Sequence, residues 1–137
     1  MGIEKPPSKA HAPVADEAAA PADVWSAGCP SRRVLELIAN KWALLVIPLL
    51  RGEPQRNNEL LRQVGGISQK MLTQTLRELE FNGLVLRDDR HTVPPHVEYR
   101  LSALGLSLSK TLLVVDRWAE SNHAEIDRAR EEARARF

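Results

Sequence analysis

Apolar positions recur at helical spacing in five stretches of the chain, and two short β-rich runs lie between the fourth and the fifth. The first stretch opens at Pro30, which suits a first helical position because its missing N–H would be unsatisfied there anyway. Val34, Leu35 and Ile38 mark its apolar face. A second helix is expected over residues 41–50, stopping at Gly52. Pro48 inside it removes the bond to the Leu44 carbonyl, which predicts a kink. Asn57 reads as the N-cap of a short helix over residues 58–64, with Leu60, Leu61 and Val64 inward. After the break at Gly65-Gly66, Ser68 caps a helix that runs to about Phe81 and stops at Asn82-Gly83. Its Leu72, Leu76 and Leu79 form one buried stripe. Residues 84–87 and 96–101 predict a hairpin around Asp88-Asp89 and Pro94-Pro95. From Ala103 a long helix sets Leu104, Leu108, Leu112, Val115 and Trp118 on one stripe, and Leu106, Leu113 and Val114 widen the apolar surface beyond one core contact.

Outside these stretches the character changes. Residues 1–23 hold four of the nine prolines with no apolar periodicity, and are expected to form a disordered arm. Residues 24–123 are expected to form one domain, and residues 124–137 a charged helical extension. In that extension Asp127/Arg130, Glu131/Arg134 and Glu132/Arg136 are spaced to pair on a solvated helix. A length of 137 residues suits one domain and not two. The net charge of +1 excludes a histone-like polycation, although residues 24–100 are mildly basic, with eleven Lys/Arg against eight Asp/Glu. A single cysteine excludes an intramolecular disulfide and a multi-cysteine metal knuckle. The longest apolar run, residues 42–50, is far short of the about 20 residues of a membrane span. With no apolar signal region at the N-terminus, the expected setting is the reducing cytoplasm, with no membrane partner.

A short helix, a Gly-containing turn, a longer helix and a hairpin, in that order, make a winged helix-turn-helix: mainly α with a small β-hairpin. The second helix of such a motif enters the major groove of double-stranded DNA. Lys70, Thr73, Gln74 and Arg77 are spaced i, i+3, i+4, i+7 opposite the leucine stripe, and Ser68 and Gln69 precede them. All are residue types that hydrogen-bond base edges or phosphates, and no acid lies among them. Arg87, Arg90 and His91 at the hairpin are the matching candidates on the wing, with Asp88 and Asp89 beside them. The surplus apolar surface on the long helix predicts a homodimer, so that Leu104, Leu108, Leu112, Val115 and Trp118 are the candidate interface. The competing reading is a winged helix used for protein–protein interaction, without operator binding. His91, His96 and Glu98 match no compact metal site, and no catalytic constellation or phosphate-binding glycine loop can be made out. No enzyme activity, metal or cofactor is therefore expected.

Several motifs, in the right order and spacing, carry a family resemblance. They are Gly28-Cys29-Pro30, Asn40-Lys41-Trp42-Ala43-Leu44-Leu45, Asn58-Glu59-Leu60, and the run from Gly66-Ile67-Ser68-Gln69-Lys70 to Gln74. Leu76-Arg77-Glu78-Leu79-Glu80, Gly83-Leu84-Val85, Val93-Pro94-Pro95 and Val97-Glu98-Tyr99 complete the set. Over residues 28–122 the chain closely resembles the HxlR family of bacterial regulators, related to the MarR type. The resemblance implies a homodimeric DNA-binding protein, joined through its N-terminal and long C-terminal helices and reading a pseudo-palindromic operator. Pro48, Asn57 and His96 depart from the family pattern. Family members often carry a cysteine at the position of Cys29, and some sense oxidants or electrophiles through it. Here Cys29 is placed at an N-cap, where the helix dipole, Arg32 and Arg33 would favour the thiolate. The resemblance thus adds an oxidant or small-molecule effector to the expected partners, with a packing role for Cys29 as the alternative.

Overall fold

In the computed structural model, residues 22–137 are described, and they form α1 (Pro30–Ile38), α2 (Lys41–Leu49), α3 (Asn57–Gln63), α4 (Gln69–Phe81), β1 (Val85–Asp89), β2 (Val97–Leu101) and α5 (Ala103–Arg136). The expected arm, except for its last two residues, lies outside the described residues. The chain divides after Asn40 into two compact units.

In the first unit, Pro30 begins α1 as its composition predicts, and Cys29 is the N-cap in an extended conformation. The turn before it closes through the Cys29 N–H to the Ser26 carbonyl, 3.1 Å. The helix itself buries no residue, and Val34 and Leu35 are exposed.

The second unit is built around Ala43, Val46 and Ile47 of α2, Leu60 of α3, and Leu72, Leu76 and Leu79 of α4. Each of these valine, isoleucine and leucine side chains contributes about 1.5–3 kcal/mol by leaving water. The α3–α4 connection is short and turns at Gly66, whose positive φ of 82° a side chain would resist. Ser68 then caps α4, its Oγ accepting from the Met71 N–H at 3.1 Å. The helix ends in a Schellman motif. Gly83 takes φ 74°, its N–H reaches the Glu80 carbonyl at 3.0 Å, and the Leu84 N–H reaches Leu79 at 2.9 Å.

Two boundaries differ from expectation. The cap of α3 is Arg56 and not Asn57, because the Glu59 carboxylate takes the Arg56 N–H at 3.1 Å and starts the helix one residue early. Asp88 and Asp89, expected in the hairpin turn, belong to β1, where Asp88 faces Glu98 and Asp89 faces Val97 across the antiparallel pair. Facing carboxylates repel. Arg90 offsets this by reaching Glu98 at 3.0 Å and Asp88 at 4.0 Å. A third short segment joins the hairpin, with Gln55 and Tyr99 exchanging both main-chain hydrogen bonds, at 2.9 and 2.8 Å. Helix α3 and the wing are therefore tied by backbone.

Helix α5 is one continuous helix of 34 residues that takes in the expected charged extension as far as Arg136. Its first turn stands directly on the root of the hairpin: a Cβ on Gly105 would lie 2.0 Å from the Leu84 carbonyl oxygen. Ser102 fixes the same junction, donating its N–H to Leu84 O at 3.1 Å and capping the helix through Gly105 N–H at 3.0 Å. No described helix is long and apolar enough to cross a membrane.

Candidate nucleic-acid interface

The burial of α4 is one-sided, and its other side carries the residues singled out from sequence. Ser68, Gln69, Lys70, Gln74 and Arg77 are exposed, and Thr73 is half-buried. Gln69 and Thr73 are joined, Nε2 donating to Oγ1 at 3.1 Å, so one donor of that face is already engaged. Thr75 turns inward beside Leu76, and its hydroxyl is buried without a hydrogen-bond partner among the described residues.

The hairpin meets this helix face. Thr73, Leu76, Arg77 and Glu80 of α4, with Arg87 and Tyr99 of the strands, line one cleft of about 280 Å³. Arg87 and Tyr99 are cross-strand partners, and a hydrogen bond between their side chains raises the Arg87 pKa and fixes its charge. Tyr99 and Glu80 were not singled out from sequence. The register that pairs Tyr99 with Arg87 could be found only once β1 was known to extend to Asp89.

The other wing residues are less free than a sequence suggests. Arg87 lies 3.5 Å from Asp89, and Arg90 is bonded to Glu98. His91, with positive φ of 53°, donates its N–H to Asp89 at 2.9 Å. Hydrogen bonding from His96 and then the Arg90 charge hold the Glu98 carboxyl below the usual range. The His91 N–H does the same for Asp89. Arg87 and Arg90 thus each have a carboxylate beside them, whereas Lys70 and Arg77 on α4 have no ion pair among the described residues. Exposed Arg56 also joins this side of the molecule, donating to the Pro95 carbonyl at 3.3 Å and lining a shallow polar hollow with Asn58, Glu59 and Arg62. It carries no apolar or spacing signal by which a sequence pattern could mark it.

Cys29, in the other unit, is buried and accepts the Asp23 N–H at 3.2 Å. Its thiol pKa is lowered, first by the Ser31 side chain, then by the Asp23 N–H and the N–H groups of the first helical turn. Of the causes expected from sequence, the helix N-terminus contributes through those N–H groups, whereas the Arg32 and Arg33 charges are not among the causes, and the Arg32 side chain donates to the Trp25 carbonyl at 3.5 Å.

The expected α5 stripe divides. Leu104, Val115 and Trp118 are exposed at 60%, 47% and 59%, and Leu108 is half-buried. Leu112 is only 3% exposed, because it sits between these outward residues and the inward Ser109 and packs into the core of its own protomer. It presents no surface to a second chain.

Comparison with known proteins adds four likenesses. Residues 37–127 match the family described as HxlR-like helix-turn-helix. The HTH-type transcriptional regulator YtfH of Escherichia coli K12 is 40% identical over 107 residues, covering 78% of this chain and 85% of that protein. The solved YtfH of Salmonella typhimurium, a transcriptional regulator, aligns with TM-score 0.75 at 37% identity over 80% of this chain and 98% of its own. The redox regulator HypR in its reduced form aligns with TM-score 0.66 at 38% identity, over 72% and 97%.

Proposed function

Since the chain belongs to the HxlR-like helix-turn-helix family of transcriptional regulators, we propose that it binds a pseudo-palindromic DNA operator as a homodimer, with one α4 in each major-groove half-site. The observation that carries this is the convergence of the outward face of α4 with Arg87 and Tyr99 of the hairpin on a single cleft. Lys70, Gln74 and Arg77 are placed to reach base edges and phosphates at the groove floor and rim. Ser68, at the helix start, and Gln69 with Thr73 meet the backbone. Arg87, Arg90 and His91 meet the flanking phosphates, their attraction moderated by Asp88, Asp89 and Glu98. Two α4 helices serving one operator must lie about 34 Å apart, and the exposed Leu104, Val115 and Trp118 of α5, with half-buried Leu108, supply the face that joins two protomers.

The test is selection of duplexes from a random-sequence pool, followed by binding measurements over a salt series. Enrichment of an inverted repeat with half-sites one helical turn apart, bound with a steep fall in affinity as salt rises, is the expected outcome. Failure to enrich any duplex overturns the reading in favour of a winged helix used for protein contact.

The signal is read at Cys29. Two observations favour this: the depressed thiol pKa at an N-cap, and the likeness to a redox regulator. The thiolate displaces hydroxide from hydrogen peroxide to give a sulfenic acid. A second thiol then displaces water to give a disulfide. A bridge between two Cys29 residues requires their Cα atoms within about 7 Å. Operator binding with and without peroxide, in wild type and Cys29→Ser, decides it. Equal responses make Cys29 a packing residue.

A further inference from the structure

Helix α2 does not close against its neighbours along its whole length. Pro48 offers no N–H to the turn before it. Beside it Leu45, Pro48 and Leu49 form one wall of a cleft of about 360 Å³, and Leu113 of α5 faces them from the other side. The end of the cleft is Val64 with Gly65, the first residues of the turn that leads into α4. A volume of this size matches a small-molecule site, and its lining is mainly apolar.

Asp116 and Glu120, one helical turn apart on α5, stand at this same cleft. Neither has an ion-pair partner among the described residues. Burial and then the Glu120 charge push the Asp116 carboxyl above its ordinary range, so the protein itself leaves this charge uncompensated. The cleft is also separate from the exposed α5 face assigned to a second protomer. Positions two apart on a helix are about 200° around its axis, which sets Val115 away from Leu113, and Trp118 away from Asp116.

We propose that this cleft binds an amphipathic cation, a ligand with an apolar body the size of a substituted benzene ring and a protonated amine or quaternary ammonium. The apolar body lies between Leu45, Leu49 and Leu113, and the cationic group meets Asp116 and Glu120. Two anions against an apolar wall reject a carboxylate ligand of the same shape by repulsion and favour a cation over its neutral isostere. Because the bound ligand touches Gly65, it bears on the turn that aims α4. This last step rests on the DNA-binding reading, whereas the binding step does not.

The test is calorimetric titration of the full chain with phenethylamine and benzyltrimethylammonium, against 2-phenylethanol as neutral isostere and 3-phenylpropionate as anion. The expected result is binding of both cations at least tenfold tighter than the alcohol, with no measurable binding of the carboxylate. The double variant Asp116→Asn/Glu120→Gln should abolish the cation preference while retaining the wild-type circular dichroism. Asp116→Asn alone should raise the melting temperature at neutral pH, because it removes a charge that the fold penalises. Equal binding of all four compounds, no binding of either cation, or an undiminished cation preference in the double variant would each overturn the proposal. So would a change in sedimentation of the double variant, which would mean that a second copy occupies the cleft. Operator affinity is measured separately, with and without the cation. Absence of any operator would count against the regulator reading and leave the cation site standing.

Discussion

Of the described glycines, Gly105 has the least room for a side chain. Alanine is normally the better helix former by about 1 kcal/mol, so a propensity argument alone favours the substitution Gly105→Ala. The contact decides the sign. A Cβ would lie 2.0 Å from a main-chain oxygen that no rotamer change can move. Gly105→Ala is expected to destabilise the fold by about 1–3 kcal/mol, as overpacked cores do, and thermal denaturation measures it. An unchanged or higher melting temperature would mean that the junction has slack. Cys29 is the other residue with a sharp expectation. Hydrogen bonds to its sulfur favour the thiolate, so thiolate persists to lower pH than in a free cysteine. Its alkylation rate by iodoacetamide is expected to rise with a midpoint below the free-thiol value of about 8.5. A midpoint at or above that value would show that burial outweighs the hydrogen bonds.

At the scale of elements, α4 and the hairpin can be tested independently. Gln74→Ala or Arg77→Ala should each weaken operator binding by about 1–3 kcal/mol if they read bases. Circular dichroism should stay unchanged, because Leu72, Leu76 and Leu79 are untouched. Operator affinity equal to wild type in both variants would remove α4 from the interface. For the hairpin the variable is acid. The folded Glu98 carboxyl is held below its ordinary value by His96 and Arg90. Its stabilisation is therefore present above the unfolded value of about 4.3 and is lost as pH falls through the lower, folded one. Protection factors of the β1 and β2 amides, which correct for the slower intrinsic exchange in acid, should fall over that window in wild type and fall less in Glu98→Gln.

The starts of α1 and α4 were legible because single residues mark them: Pro30 has a fixed φ, and Ser68 offers a capping oxygen. The cleft between α4 and the hairpin was half legible. Thr73 and Arg77 follow from helical spacing, but Tyr99 depends on strand register. Register was misjudged because two aspartates read as a turn, and the Arg90 side chain that makes them tolerable in a strand acts across the hairpin. The Gln55–Tyr99 pairing has no local signature, since main-chain bonds carry no side-chain pattern.

For the molecule as a whole the central expectation is association. Leu112 lies at the inward edge of the α5 stripe: its neighbours Leu104, Val115 and Trp118 face outward and it faces in. The remaining Leu104, Leu108, Val115 and Trp118 still mark one apolar strip along α5, with Leu104, Val115 and Trp118 exposed. Monomers seldom leave such a strip uncovered. Val115→Asp is expected to yield a folded monomer in sedimentation velocity at micromolar concentration, where the wild type sediments as a dimer. Folded wild-type monomers under those conditions would contradict the assignment. The same variant should keep contact with a single half-site and lose affinity for the full inverted repeat, which separates loss of pairing from loss of DNA recognition.

The unbroken length of α5 has a mechanical consequence. At about 1.5 Å per residue its 34 residues make a rod of about 51 Å. Its fulcrum is the first turn, where the backbone of Gly105 bears on Leu84 at the root of the wing. A tilt of about 10° at the fulcrum carries the far end through about 9 Å over that length. A probe attached near Phe137 therefore magnifies movements at the wing root that would be hard to see where they occur, and a distance measured between two such probes becomes a gauge of the wing's state.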